Sequence, residues 1–355
     1  MSAHTRKVEK EKVCVIGSGN WGSAIARIAA MNTKKNPDMF VEDVTVYVHE
    51  EQVQGRPLSA LINETHENPK YLPGIQLGQN VVAEPDLLKA IEGATALIFV
   101  LPHQFLPSVL KTMRGHVSHL ARAVSLIKGV QVEGTRISTF PTVISSVLVA
   151  EDKFCESTLG VPPAPMTTPP DEEAQLHTFS ESHLWHRLFQ THTFRIRVVQ
   201  DVEGVCLCGG LKNVIAFAAG FSDGLGLTPR GCVAAIMRIG LLELKDFCLE
   251  FFPSTRASTF LEESCGVADI MTSCLSGRNR LIAELMVKTG KGFPELEEEN
   301  LNGQKLQGPQ TAQELHMFLT ARGDNVRRPG GYPLLEAVWR ICYEGMSPEK
   351  LIDGL

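Results

Sequence analysis

The chain has 355 residues, 43% hydrophobic and 21% charged, with a net charge of −6. That length suits two domains, and that apolar share builds a core without disulfide or metal staples. A mildly acidic chain lacks the basic footprint needed to wrap nucleic acid, whereas a small anion needs only a few local cations.

In chain order, residues 12–16 form a short β-rich run, followed by glycines and a helical alternation through residue 31. Further strands are predicted at 44–48, 94–101, 123–127 and 194–199, with helical patterns between several of them. The 94–101 run is apolar throughout, as befits a strand covered on both faces. Strand alternating with helix indicates βαβ units and a parallel sheet. After residue 200 the pattern changes to helices at 205–220, 231–252, 278–289, 311–322 and 334–343, with no convincing strand. One boundary near residue 200 therefore separates an α/β domain (1–200) from an all-α domain (201–355). The proline-rich stretch 161–182, with five prolines, reads as a surface loop or insertion.

The nine cysteines include no Cys-x-x-Cys spacing and sit mostly in apolar runs, which reads as reduced thiols inside a cell. The N-terminal dozen residues lack the apolar centre of a signal peptide and the acid-poor character of a transit peptide. The C-terminal Asp353-Gly354-Leu355 is no peroxisomal address, and no apolar run is expected to cross a membrane. These features predict a cytoplasmic location.

Gly17-Ser18-Gly19-Asn20-Trp21-Gly22 matches G-x-G-x-x-G, a weak signal alone. Here it follows a strand and opens a helix, which makes it a dinucleotide-binding turn. The first glycine permits the tight turn, the second lets a pyrophosphate approach, and the third lets the helix pack on the sheet. Phosphates would sit at the helix N-terminus. Glu50 or Glu51, after the second strand, either holds a ribose 2′-hydroxyl, which would favour NAD, or is simply solvated; Arg56 keeps NADP open.

Ligands bind beyond the carboxyl ends of parallel strands. Phe105 there either walls a nicotinamide pocket or packs in a core. Lys128, after the 123–127 strand, either reaches into the cleft or is a solvated loop lysine. Within the apolar run 209–217, Lys212 and Asn213 stand out: a lysine there snorkels to the surface or points into a functional cleft, where it can donate a proton. Asp269 alone reads as a helix cap and Arg278 alone as an exposed ion pair. With Lys212 they fit one phosphate-and-carbonyl chemistry. The 302–309 loop could close over a cofactor or merely connect. His183, His186 and His192 lie close in sequence, but no Cys or carboxylate completes a ligand spacing, so no metal is assigned.

Taken together, the chain resembles the NAD-dependent glycerol-3-phosphate dehydrogenase family in its eukaryotic cytosolic form, over nearly its whole length. The marks are the glycine turn, His66-Glu67-Asn68-Pro69-Lys70-Tyr71-Leu72-Pro73-Gly74, Pro102-His103-Gln104-Phe105, Gly210-Leu211-Lys212-Asn213-Val214, Glu263-Ser264-Cys265-Gly266-Val267-Ala268-Asp269, Gly277-Arg278-Asn279-Arg280 and residues 301–308. The resemblance implies a Rossmann-type domain followed by a helical domain, NAD as cofactor, a homodimer, and dihydroxyacetone phosphate and glycerol 3-phosphate as substrates. It implies Lys212 as proton donor, with Lys128, Asp269 and Ser273 completing the catalytic constellation. Lys128, Lys212, Asn213, Arg278 and Asn279 would hold the substrate. Gly17 to Gly22, Phe105, Lys128, Arg278, Lys305 and Gln307 would border the cofactor.

The sequence departs from that family in places. Ser273 replaces a threonine, keeping its hydroxyl, and His49 replaces an aromatic. A Gly-Ala-Asn-x-Ala segment expected before Glu151 is missing; residues 144–150 stand there instead, in a connection about fifteen residues short. A nucleotide-binding regulatory homologue with impaired catalysis, and a dehydrogenase of another small hydroxy acid, are the competing readings.

Overall fold

The computed structural model describes residues 10–148, 182–227, 231–301, 305–323 and 329–353. The stretch 161–181, expected to be a loop, lies outside them. The chain divides into two compact units, one from 1–127 and 141–200, the other from 128–140 and 201–355. A single cut at residue 200 thus misses one exchange: residues 128–140 pack with the helical unit.

The first unit holds a five-stranded sheet of β1 (Glu11–Ile16), β2 (Phe40–Tyr47), β3 (Val81–Glu84), β4 (Ala96–Phe99) and β5 (Arg122–Ser125), in the order β3-β2-β1-β4-β5. All four pairings are parallel, with Val13 beside both Val44 and Ala96. β4 is buried at every residue, which accounts for its unbroken apolar sequence. Between β1 and β2 runs α1 (Asn20–Lys35), which buries Ile25, Ala26, Ala29 and Ala30 against the sheet. This order, with β1 central, is the one used by dinucleotide-binding domains.

In this sheet one predicted strand is absent and one unpredicted strand is present. Residues 194–199 form no strand. Their alternation is real, because Phe194 and Ile196 pack on the core while Arg195 and Arg197 are exposed. Their backbone is held by side chains instead: Ile196 N–H donates to Gln190 Oε1 and Phe194 N–H to Thr191 Oγ1. The sheet edge is occupied by β3, whose four residues are too few to show a period.

Among its described residues, the only strands of the second unit are the hairpin β6 (Gln131–Glu133) and β7 (Arg136–Ser138), and its other elements are helices. Its centre is α2 (Val202–Gly224), surrounded by α3 (Gly231–Phe251), α4 (Asp269–Leu275), α5 (Arg278–Thr289), α6 (Phe293–Asn300), α7 (Gly308–Arg322) and α8 (Pro333–Trp339). α2 is long and apolar enough to span a membrane, contrary to the expectation that no segment would be. It is instead the core of this unit, buried on all sides from Gly210 to Ser222. Asp201 caps its start, accepting from Gly204 N–H (2.8 Å) and from Arg256 N–H (2.9 Å). Glu243, wholly buried on α3, accepts from the N–H groups of Leu334 and Leu335 at the start of α8. Gly220 faces α5 so closely that a Cβ there would lie 2.2 Å from Arg280 O. That contact fixes where α5 begins, and with it Arg278 and Asn279.

Candidate active site

The glycine turn follows β1, and its three glycines are needed for different reasons. Gly17 has φ +124°, and a side chain on it would strike Val100 O at 2.6 Å. A Cβ on Gly22 would lie 2.2 Å from Gly17 O, so this glycine closes the helix onto the turn. Gly19, by contrast, has nothing within 4 Å: its open side leaves room for a ligand to approach the backbone. α1 starts immediately after it with no side-chain cap and no acidic residue in its first turn. Its first N–H groups are therefore set up for an anion such as a pyrophosphate.

A buried asparagine from the 66–74 segment holds this turn. Asn68 Nδ2 donates to Ser18 O and to Ser23 Oγ, both at 2.9 Å, and its Oδ1 accepts from Tyr71 N–H. Asn20 Nδ2 reaches back to Tyr71 O. Trp21 is 47% exposed and meets Phe194 edge to face; Phe105, in the turn after β4, is 56% exposed and is not core. The carboxylates after β2 already have partners. Glu50 accepts from Ser59, and although burial pushes its pKa up, those hydrogen bonds bring it below the usual range. Glu51 pairs with Lys70.

The second unit gathers a cluster of charge. Lys212 is 6% exposed on α2, and its ammonium meets Asp269 Oδ2 of α4 at 2.6 Å. A lysine buried to that degree requires a partner. Lys128 stands where the chain enters the 128–140 hairpin. It is exposed by surface area, yet protein packed around its ammonium, the Lys212 charge and the Arg278 guanidinium depress its pKa against the pull of Asp269. Lys128, Lys212 and Arg278 are thus close enough to act on one another electrostatically, with Asp269 as an opposing charge. The approach of Lys128 to α2 depends on backbone meeting backbone: a Cβ on Gly210 would lie 3.1 Å from Gly129 Cα. Ser273 lies one turn beyond Asp269 on the same face of α4.

Beside this cluster runs a chain of amides. Gly308 N–H donates to Asn279 Oδ1 (3.0 Å), Asn279 Nδ2 to Asn213 Oδ1 (3.1 Å), and Asn213 Nδ2 to Gln307 Oε1 (3.3 Å). The segment carrying Gln307 is anchored by Glu297 of α6, which accepts from Leu306 N–H (2.9 Å) and pairs with the otherwise exposed Lys305. Sequence reasoning assigned no role to Asn68 or Glu297. Asn68 lies in a segment singled out only by family likeness, and Glu297 is hidden in a run of glutamates that reads as a solvated face. Among the described residues no three His, Cys, Asp or Glu side chains stand together as a metal site.

A parallel sheet with an uncapped glycine turn, joined in one chain to a helical unit bearing a cationic cluster, defines the class: a dinucleotide-binding protein of dehydrogenase architecture. Residues 12–156 match the N-terminal domain of NAD-dependent glycerol-3-phosphate dehydrogenase and residues 201–353 its C-terminal domain. The cytoplasmic NAD(+) glycerol-3-phosphate dehydrogenases of Drosophila ezoana and Mus musculus are each 44% identical to this chain, over 97% of it and 97% of their own length. The solved glycerol-3-phosphate dehydrogenase of Saccharomyces cerevisiae superposes with a TM-score of 0.81 at 36% identity, covering 98% of this chain and 99% of its own. The chain belongs to the NAD-dependent glycerol-3-phosphate dehydrogenase family.

Proposed function

We propose that this protein interconverts dihydroxyacetone phosphate plus NADH and glycerol 3-phosphate plus NAD, acting in the cytoplasm as its curated relatives are named to do. The first unit holds the dinucleotide, with the α1 N-terminus and the open Gly19 face taking the pyrophosphate. NAD supplies hydride chemistry when bound. The second unit holds the substrate. The observation that carries this reading is the gathering of Lys128, Lys212 and Arg278 with Asp269 in one unit, a set of cations suited to a phosphorylated substrate.

Lys212 acts as the proton donor to the ketone oxygen as C2 is reduced. Asp269 keeps its ammonium paired and aimed, and Ser273 adds a hydroxyl on the same face of α4. Lys128, Arg278, Asn213 and Asn279 bind the phosphorylated substrate, so binding energy remote from C2 helps to position C2. Lys305 and Gln307 serve the cofactor side. The protein works as a homodimer, which the family likeness suggests and which exposed Met271, Leu275 and Leu281 on α4 and α5 support.

The test is loss of NADH absorbance with dihydroxyacetone phosphate, with Lys212→Ala beside the parent. Turnover that disappears in the variant while NADH still binds supports both the activity and the proton donor. A parent that binds NADH but shows no turnover refutes the activity and leaves the regulatory homologue.

A further inference from the structure

The glutamates of α6 divide by face. Glu295 and Glu299 pair with Lys291 at the surface. Glu297 points the other way and is buried. A carboxylate is almost never buried without partners, because leaving water is costly unless other donors take the water's place. Both of its donors come from the chain a few residues on. Oε2 accepts from Leu306 N–H at 2.9 Å, and Oε1 meets the Lys305 ammonium. The two contacts are unequal. The Lys305 side chain is 74% exposed, so water competes for its charge. The Leu306 hydrogen bond is buried, as is the Leu306 side chain, and water does not compete there.

Leu306 leads directly into the amide chain of the candidate site. Gln307 and Gly308 are consecutive residues, and they hold its two ends. Gly308 N–H meets Asn279, Asn279 meets Asn213, and Asn213 meets Gln307, so the 307–308 peptide closes a ring. The ring runs in one direction. A backbone N–H can only donate, so Gly308 draws Asn279 Oδ1 towards itself. Asn279 then has Nδ2 for Asn213 Oδ1, and Asn213 has Nδ2 for Gln307 Oε1. Asn279 follows Arg278 in the chain and Asn213 follows Lys212, so the ring adjoins the cationic cluster through two of its members.

We propose that Glu297 is a positioning residue for the phosphorylated substrate. By fixing Leu306 it keeps the 307–308 peptide where it closes the ring. The ring in turn holds the Asn213 and Asn279 amides in the orientation that binds substrate. Glu297 thus acts through the backbone of 306–308. Without its carboxylate the Leu306 N–H is buried with no acceptor, and the segment shifts to find one. Asn279 then loses the donor that set its direction, and its amide turns between two orientations of which one binds. The loss falls on substrate binding remote from C2, so KM rises while kcat holds.

The link to substrate rests on the reading of Asn213 and Asn279 given above, but the hold on 306–308 does not, so one measurement needs no turnover. Hydrogen exchange of the full-length protein, followed by mass, should show the peptide containing Leu306 and Gly308 exchanging about tenfold faster in Glu297→Ala. KM for dihydroxyacetone phosphate should rise about tenfold, the worth of one hydrogen bond, with kcat within about twofold of the parent. Glu297→Gln keeps an oxygen for the Leu306 N–H and gives up only the charge, so it should restore both readings. Should Glu297→Ala not fold, Glu297→Asp, one methylene too short for Leu306, takes its place. In an Asn279→Ala background, Glu297→Ala should raise KM no more than about twofold further, whereas a residue that merely steadied α6 would multiply the two effects. Unchanged exchange at 306–308 overturns the proposal whatever the activity, as does a Glu297→Gln protein no better than Glu297→Ala. Faster exchange with a parent-like KM, or full multiplication in the double variant, overturns the link to substrate.

Discussion

Gly308 begins α7 at the point where the chain returns beside α2, and no side chain fits there. A Cβ would stand 2.7 Å from Phe217 Cδ2 and 2.8 Å from both Asn213 O and Asn279 Oδ1, against 3.4–4 Å for ordinary contact. Two of those neighbours cannot swing aside: one is helix backbone, and the other is fixed by its own hydrogen bonds. Gly308→Ala must therefore shift the start of α7 by roughly 0.6 Å or more, an overpacking that costs about 1–3 kcal/mol. The same shift lengthens the Gly308 N–H to Asn279 bond and loosens the link to Asn213, so kcat/KM should fall about 10- to 100-fold. Gly209, on α2, is the control. A Cβ there meets nothing within 4 Å, and alanine in a helix interior is favoured over glycine by about 0.5–1 kcal/mol. Gly209→Ala should raise Tm and leave kcat/KM alone. Urea unfolding and steady-state kinetics on both variants decide the matter. Parent-like kcat/KM and stability in Gly308→Ala would refute the reasoning, as would two variants that behave alike.

Three further outcomes follow from contacts elsewhere. Asn68→Ala removes the shorter of two buried hydrogen bonds to the Ser18 carbonyl, the other coming from Ser23 Oγ, and also the bond to Ser23 Oγ; we expect about 1–3 kcal/mol lost in stability and NADH binding about tenfold weaker by fluorescence titration. Glu243→Ala strands two N–H groups at the start of α8, and chemical denaturation should show a loss of about 2–4 kcal/mol with little change in KM. Lys128 is charged below its pKa and neutral above it, and burial, with the Lys212 charge beside it, lowers that pKa. KM for dihydroxyacetone phosphate should therefore climb with rising pH sooner than an ordinary lysine near 10.4 would make it, and Lys128→Arg should flatten the climb. A parent KM that stays flat across that alkaline range would remove Lys128 from phosphate binding.

What could be read in advance was whatever local pattern decides. The glycine turn was legible because strand, turn and helix each leave a signature within ten residues, and the structure shows why each glycine is there. Lys212 stood out because a charge in an apolar run has to be explained, and its partner Asp269 supplies the explanation. The misses have the opposite character. β3 is too short for a period, and residues 194–199 alternate without a ladder, because alternation reports burial and not pairing. Asn68 and Glu297 act through backbone groups of segments distant in sequence, and no composition betrays such a contact.

The exchange of residues 128–140 has a chemical consequence. The chain leaves the first unit after Ile127, delivers Lys128 to the second, and returns at Pro141. Lys128, Lys212, Asp269 and Arg278 come from four separated stretches, yet all belong to one unit. The cluster of Lys128, Lys212 and Arg278 with Asp269 is thus built within the helical unit by its own core: α2 carries Lys212 at its centre, Gly210 lets Gly129 against it, and Gly220 sets α5. Its strength should track the packing of α2, not the glycine turn. Substitutions at Gly210 or Gly220 should raise KM for the phosphorylated substrate and spare NADH affinity, whereas Asn68→Ala should do the reverse.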